Sequence, residues 1–144
     1  MSIQLKNISK SFGETMAVDR VEFTVAEGEL VALLGPSGGG KTTVLRMIAG
    51  LEIPTAGDIL VRGHRVNDLP VQRRNIGFVF QNYALFKTMS VRENIQFGLK
   101  IKKWKRSEIE SRVTELMELF GLQGLERRYP HQLSGGQRQR VAIA

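Results

Sequence analysis

Cysteine is absent from the 144 residues, which excludes disulfides, cysteine-based zinc sites and thiol nucleophiles. Histidine is nearly absent: His64 and His131 are the only two, too few for a His-rich metal centre. The four prolines and fifteen glycines follow no fixed period, so a collagen-like repeat is excluded. Long hydrophobic runs are missing too. The longest, residues 30–34, falls far short of the roughly 20 residues that span a bilayer. The first ten residues alternate polar and apolar side chains and lack a signal-peptide core. These absences predict a chain that is soluble or attached to a membrane through a partner. Acidic residues are the minority charge, 14 against 21 Lys and Arg, which gives +7 and a pI near 10.1. The excess favours an anionic ligand, nucleic acid or an anionic membrane face, and charge alone does not choose among them. With 42% hydrophobic and 24% charged residues, the balance is that of one folded domain rather than a disordered chain.

What is present divides into strands and helices by period. Residues 3–8 and 21–25 alternate, with Val21, Phe23 and Val25 on one face, and predict two strands of a half-buried antiparallel sheet. Residues 26–29, with Gly28, read as a turn. Residues 30–34 are continuously apolar and predict a short strand buried on both faces. Residues 41–49 predict a helix through Val44, Leu45 and Ile48, with Gly50 as its stop. After a turn at 54–57, residues 59–62 predict an outer strand, and residues 76–80, interrupted by Gly77, predict a second core strand. Residues 107–120 predict an amphipathic helix with Ile109, Val113, Leu116 and Phe120 on one stripe, Gly121 as its end, and Ser107 and Glu110 as a capping box. Residues 137–144 predict a last helix.

The strongest chemical signal is Gly35-Pro36-Ser37-Gly38-Gly39-Gly40-Lys41-Thr42, which fits G-x-x-x-x-G-K-[S/T] at every fixed position. A triphosphate needs several backbone N–H groups converging on it, and glycine lets the chain curl tightly enough to supply them. The helix that follows aims its positive end at the phosphates. Lys41 is placed to reach the β- and γ-phosphates and the Thr42 hydroxyl to ligate Mg²⁺. A plain glycine-rich turn is the alternative, but the predicted strand before the loop and helix after it are the context a phosphate loop requires.

About 90 residues further on stands Leu133-Ser134-Gly135-Gly136-Gln137. Ser134 is a good N-cap, and the two glycines expose backbone N–H groups. In isolation this would read as a flexible turn ahead of a helix. Paired with the phosphate loop, in this order and spacing, it resembles the ATP-binding subunit of ATP-binding-cassette (ABC) transporters. The resemblance runs from about residue 3 to residue 144. It implies an α/β fold: a phosphate-loop core with a mainly parallel sheet, an N-terminal antiparallel β-subdomain and a helical subdomain. The implied division is residues 1–84 for the nucleotide-binding core and β-subdomain, 85–132 for the helical subdomain, and 133–144 for the second motif and the start of its helix.

The same resemblance assigns roles to single residues. It places Gly35, Pro36, Ser37, Gly38, Gly39, Gly40, Lys41, Thr42 and Thr43 around ATP, with Lys41 and Gln81 as catalytic groups and Thr42 and Gln81 at Mg²⁺. Ser134, Gly135, Gly136 and Gln137 would close over the γ-phosphate of ATP held by the opposite subunit. Gln81 alone would read as an exposed polar residue. Phe12 either stacks on adenine, as an aromatic does in the family, or packs in the core; Val18 would lie beside it. Residues 82–99 resemble the start of the helical subdomain that touches the membrane subunits, and Tyr83-Ala84-Leu85-Phe86 is the candidate interface, shared with the subdomain's own core. Lys100, Lys102, Lys103, Lys105 and Arg106 surround Trp104. That cluster could serve nucleic acid or anionic lipid, but reads first as a solvated surface between helices.

The implied assembly is a head-to-tail pair of ATP-binding subunits on two transmembrane permease subunits, served indirectly by a solute-binding protein, with no nucleic acid. Its place would be the cytoplasmic face of an inner membrane or the stromal side of a plastid membrane. Residues 75–87, Arg128-Tyr129-Pro130 and residues 136–142 resemble the sulfate/thiosulfate importers; polyamine, iron and sugar importers are alternatives, as is a non-transport ATPase of the same family acting on nucleic acid or the ribosome. The family's catalytic core also has an apolar strand ending in Asp-Glu and then a switch histidine, neither of which is found by residue 144. The expectation is therefore an N-terminal fragment, truncated before that strand, which binds ATP but hydrolyses it poorly or not at all.

Overall fold

The computed structural model describes residues 2–144, and they form two compact units, residues 2–78 and 79–144. In the first, alternation produces the sheet. Strands β1 (Ile3–Phe12) and β2 (Thr15–Val25) make an antiparallel hairpin, and β3 (Ala56–Val61) and the short β4 (His64–Arg65) extend it in the order β2-β1-β3-β4. Leu5 pairs with Phe23 on one side and Ile59 on the other. That register puts Leu5, Ile8, Val18 and Ile59 on the face covered by helix α1 (Lys41–Ala49), whose Val44, Met47 and Ile48 complete the core.

Two strand expectations fail. Residues 30–34 and 76–80 have no regular structure. A strand buried on both faces needs hydrogen-bonded neighbours and a cover on each side. Among the described residues the one sheet is antiparallel, and neither run pairs with it. Leu33 and Ile76 pack against the core, whereas Leu30 and Leu34 are 97% and 91% exposed. The outer strand expected at 59–62 begins earlier, at Ala56.

The second unit is helical. Helices α3 (Val91–Ile101) and α4 (Arg106–Leu119) are joined by a tight turn, and α5 (Gly135–Ile143) packs Val141 into their shared core with Val91, Ile95, Val113 and Met117. A four-residue helix, α2 (Val71–Arg74), belongs to the first unit. The stripe read for α4 holds, with Ile109, Val113 and Leu116 buried and Phe120 packed at its end. Its capping box does not. Helix α4 starts one residue earlier, so Ser107 lies inside the first turn. There Glu108 accepts from the Lys105 backbone N–H at 2.9 Å, while Glu110 pairs with Arg92 instead. Reciprocal boxes form at Ser90/Glu93 on α3 and Ser134/Gln137 on α5. Among the described residues no helix is long and apolar enough to cross a membrane.

Candidate nucleotide site

The loop between residue 35 and α1 is built by glycine conformations that other residues resist. Gly38 and Gly40 sit at φ +80° and +75°. At Gly40 space is closed as well as strained: a Cβ there would lie 2.5 Å from the Ala17 carbonyl oxygen and 3.0 Å from the Val18 side chain. The loop therefore rests directly on β2. The Gly39 N–H donates to the Pro36 carbonyl at 3.1 Å, closing the turn, and Gly40 is the N-cap of α1. That helix has no side-chain cap and no acidic residue in its first turn, so its positive end faces the loop uncompensated.

Gly38, Gly39, Gly40, Lys41, Thr42 and Thr43 line a small open cavity of about 130 Å³. The Lys41 ammonium folds back over the loop and donates to the carbonyls of Gly35 at 2.9 Å and Pro36 at 2.6 Å. Gly35, Pro36, Ser37 and Thr42 are exposed around it. A glycine loop seated on β2 with no room for a β-carbon at Gly40, a helix N-terminus and the Lys41 ammonium together fit an anionic phosphate chain. For a divalent cation the fit is narrower. Among the described residues no group of three His, Asp or Glu converges, and the Thr42 hydroxyl is the ligand this loop would contribute.

Phe12 is 49% exposed, and the Lys10 ammonium lies 4.9 Å from its ring centroid, so the ring is not core packing. Val18 is 4% exposed and belongs to the wall behind the loop. In the second unit Gln81 is exposed in a turn closed by the Tyr83 N–H donating to the Phe80 carbonyl at 2.8 Å, not at the end of a strand as read. Leu85 packs into the helical core, whereas Phe86 is 44% exposed and tilts against Phe97 with ring centroids 4.4 Å apart. Ser134, Gly135 and Gly136 are exposed at the start of α5. Ser134 Oγ accepts from the Gln137 N–H at 3.2 Å and Gln137 Oε1 accepts from the Ser134 N–H at 2.8 Å. Gln137 is thus committed to the cap, and the exposed groups of the motif are the serine hydroxyl and the glycine backbone.

Three supporting residues escape a reading by motif. Arg74 is 5% exposed and donates to four carbonyls: Met47 at 2.7 Å and Ile48 at 3.1 Å at the end of α1, and Asn67 at 3.0 Å and Leu69 at 3.1 Å in the preceding loop. Burial pushes its guanidinium below the usual arginine value. It satisfies the helix end that Gly50, at φ +83°, terminates. Asn94 accepts from the Phe86 N–H at 2.9 Å and donates to the carbonyls of Met89 and Ser90, which fixes the segment after Gln81. Arg140 donates to the Phe120 carbonyl at 2.9 Å, tying α5 to the end of α4. Arginines are usually surface residues, so only the backbone trace could mark Arg74 as buried.

An antiparallel β-subdomain bearing a phosphate loop, followed by a helical unit bearing Leu-Ser-Gly-Gly-Gln, defines an ATP-binding cassette, and the chain belongs to the ABC transporter family, whose model matches residues 18–144. Among individual proteins, it is 60% identical to the "Sulfate/thiosulfate import ATP-binding protein CysA" of Thermosynechococcus vestitus, and 54% identical to the protein of the same name from Synechocystis sp.. Both comparisons run over the whole chain but over only 43% and 41% of those relatives, so the chain spans about two fifths of their length. Among solved structures, the ATP-binding cassette MJ0796, described as a dimer bound to ADP and Pi, is 36% identical, with a TM-score of 0.86 over 98% of this chain and 67% of that one.

Proposed function

We propose that this chain is the nucleotide-binding portion of an ABC importer's ATP-binding subunit, and that the solute imported is sulfate or thiosulfate. The observation that carries nucleotide binding is the loop at 35–43, where Gly40 has room for no side chain and Lys41 is held over the cradle by two carbonyls. The solute is supported by the names of the relatives at 52–60% identity. Lys41 and the N–H groups of residues 38–43 would bind the phosphates of ATP, and Phe12 would stack on its base through an exposed ring face. The Thr42 hydroxyl would ligate Mg²⁺, which supplies charge neutralisation of the phosphates when bound. Ser134, Gly135 and Gly136 would present their hydroxyl and backbone donors to a nucleotide on a second subunit, which the dimeric form of MJ0796 supports. Residues 85–132 would be the helical subdomain that meets the permease subunits, holding the protein at a membrane surface.

Two measurements test this. Titration of a fluorescent ATP analogue should saturate with wild type, and Lys41→Ala should weaken it at least about tenfold, since charge-assisted hydrogen bonds to phosphate are among the strong ones. A chimaera in which residues 1–144 replace the matching segment of a sulfate-import ATP-binding subunit should also restore radiolabelled sulfate uptake to cells lacking that subunit. Uptake of a polyamine or a sugar instead would replace the solute. Failure to bind ATP would remove the reading altogether, and co-purification with ribosomes or nucleic acid rather than permeases would turn it into a non-transport ATPase.

A further inference from the structure

The turn between α3 and α4 gathers charge and apolar surface that the nucleotide chemistry leaves unused. From residue 98 to residue 107 the sequence holds five cations and no acid. Lys100, Lys102, Lys103, Lys105 and Arg106 are all exposed, and among the described residues none is in an ion pair. The nearest acids are occupied: Glu108 accepts from the Lys105 backbone N–H, Glu110 pairs with Arg92, and Glu93, whose charge Lys100 senses, accepts from the Ser90 N–H and hydroxyl. Between the cations stand two large apolar side chains, Ile101 at 64% and Trp104 at 44% exposure. The turn that displays them is hydrogen-bonded rather than loose. The Lys102 N–H donates to Gly98 at 3.1 Å, Lys103 to Lys100 at 3.0 Å and Trp104 to Leu99 at 3.2 Å.

A solvated surface would carry the cations without the isoleucine and the indole. A single-stranded nucleic acid site would use successive aromatic rings as stacking platforms; here there is one ring, and Ile101 offers none. Cations flanking an exposed aliphatic chain and an indole match the boundary of an anionic bilayer instead. Lys and Arg meet headgroup phosphates there, while Trp settles at the level of the headgroups. We infer that the α3–α4 turn is a lipid-contact surface that binds the anionic headgroups of a membrane directly, with Ile101 and Trp104 entering the interface between flanking lysines. This contact uses the α3–α4 turn of the helical subdomain and holds whichever solute is transported.

Trp104 is the only tryptophan of the chain, so its fluorescence reports on the site alone. The purified chain is titrated with phosphatidylcholine vesicles with and without phosphatidylglycerol, and with vesicles whose acyl chains carry bromine. The expected result is a saturable blue shift of Trp104 emission with phosphatidylglycerol only, quenching by the brominated chains, and weakening as salt rises. The triple variant Lys102→Glu/Lys103→Glu/Lys105→Glu, with circular dichroism matching wild type, lowers partitioning at least about tenfold, the scale expected for removing several cations near a charged membrane. Trp104→Ser, followed by vesicle co-sedimentation, lowers it without altering the salt dependence. Equal binding to neutral vesicles, no binding to either kind, or an unaffected triple variant would overturn the inference. So would single-stranded RNA that quenches Trp104 while vesicles leave it unchanged.

Discussion

Gly40 shows how one missing side chain governs a site. Its φ of +75° and the 2.5 Å approach of the Ala17 oxygen to any β-carbon act together. Gly40→Ala should therefore lose more than the roughly 1–2 kcal/mol of left-handed backbone strain alone, and should abolish ATP-analogue binding while leaving the helical unit's circular dichroism in place. Arg74 makes the opposite contribution, a charge placed inside. Arg74→Met would strand carbonyls of Met47, Ile48, Asn67 and Leu69. A drop of about 2–4 kcal/mol in urea unfolding is expected, because a buried acceptor left unpaired costs about 1–3 kcal/mol. Arg74→Lys should not recover it, since a single ammonium cannot span the four acceptors that a planar guanidinium reaches. The phosphate loop was legible in the sequence because its constraint is local, a conformation and a spacing. Arg74 was illegible because its partners lie up to 27 positions away and an arginine carries no mark of burial.

At the scale of elements, helices with a local stop or stripe were read well. Helix α1 ends at Gly50, and α4 buries the residues its period selects. The caps were read less well, because three-residue spacings of serine and glutamate recur by chance. Ser107 and Glu110 have that spacing, yet the helix entry falls at Lys105. The box that does form on α3 is also pH-sensitive. The Ser90 backbone N–H and then its hydroxyl hold the Glu93 carboxyl below the ordinary glutamate value of 4.5. A depressed folded value means that the stabilisation is present above the unfolded value and is lost as pH falls through the folded one. Thermal stability should thus fall as pH drops below about 4.5, with Glu93→Gln flattening that loss because an amide keeps the box without titrating. Ser90→Ala should cost about 1 kcal/mol at neutral pH, read by urea titration.

For the whole molecule, the antiparallel hairpin and helical unit were legible from period. The strands expected at 30–34 and 76–80 were not realised, because continuous apolar runs specify burial without specifying a partner. Leu30 and Leu34 stand 97% and 91% exposed, and such a surface invites association. The chain should therefore bind an apolar dye such as anilinonaphthalene sulfonate, and Leu30→Lys should reduce both the dye emission and the apparent mass by light scattering. The pairing of the phosphate loop with the Leu-Ser-Gly-Gly-Gln motif carried more about family than any strand, since two spaced motifs are far rarer than one. The close seat of Gly40 on Ala17 and Val18 reaches beyond the cradle itself. Enlarging residue 18 would unseat the loop unless the hairpin beneath it is reshaped, so grafting the first two strands or the glycine curl into another scaffold requires carrying the other along.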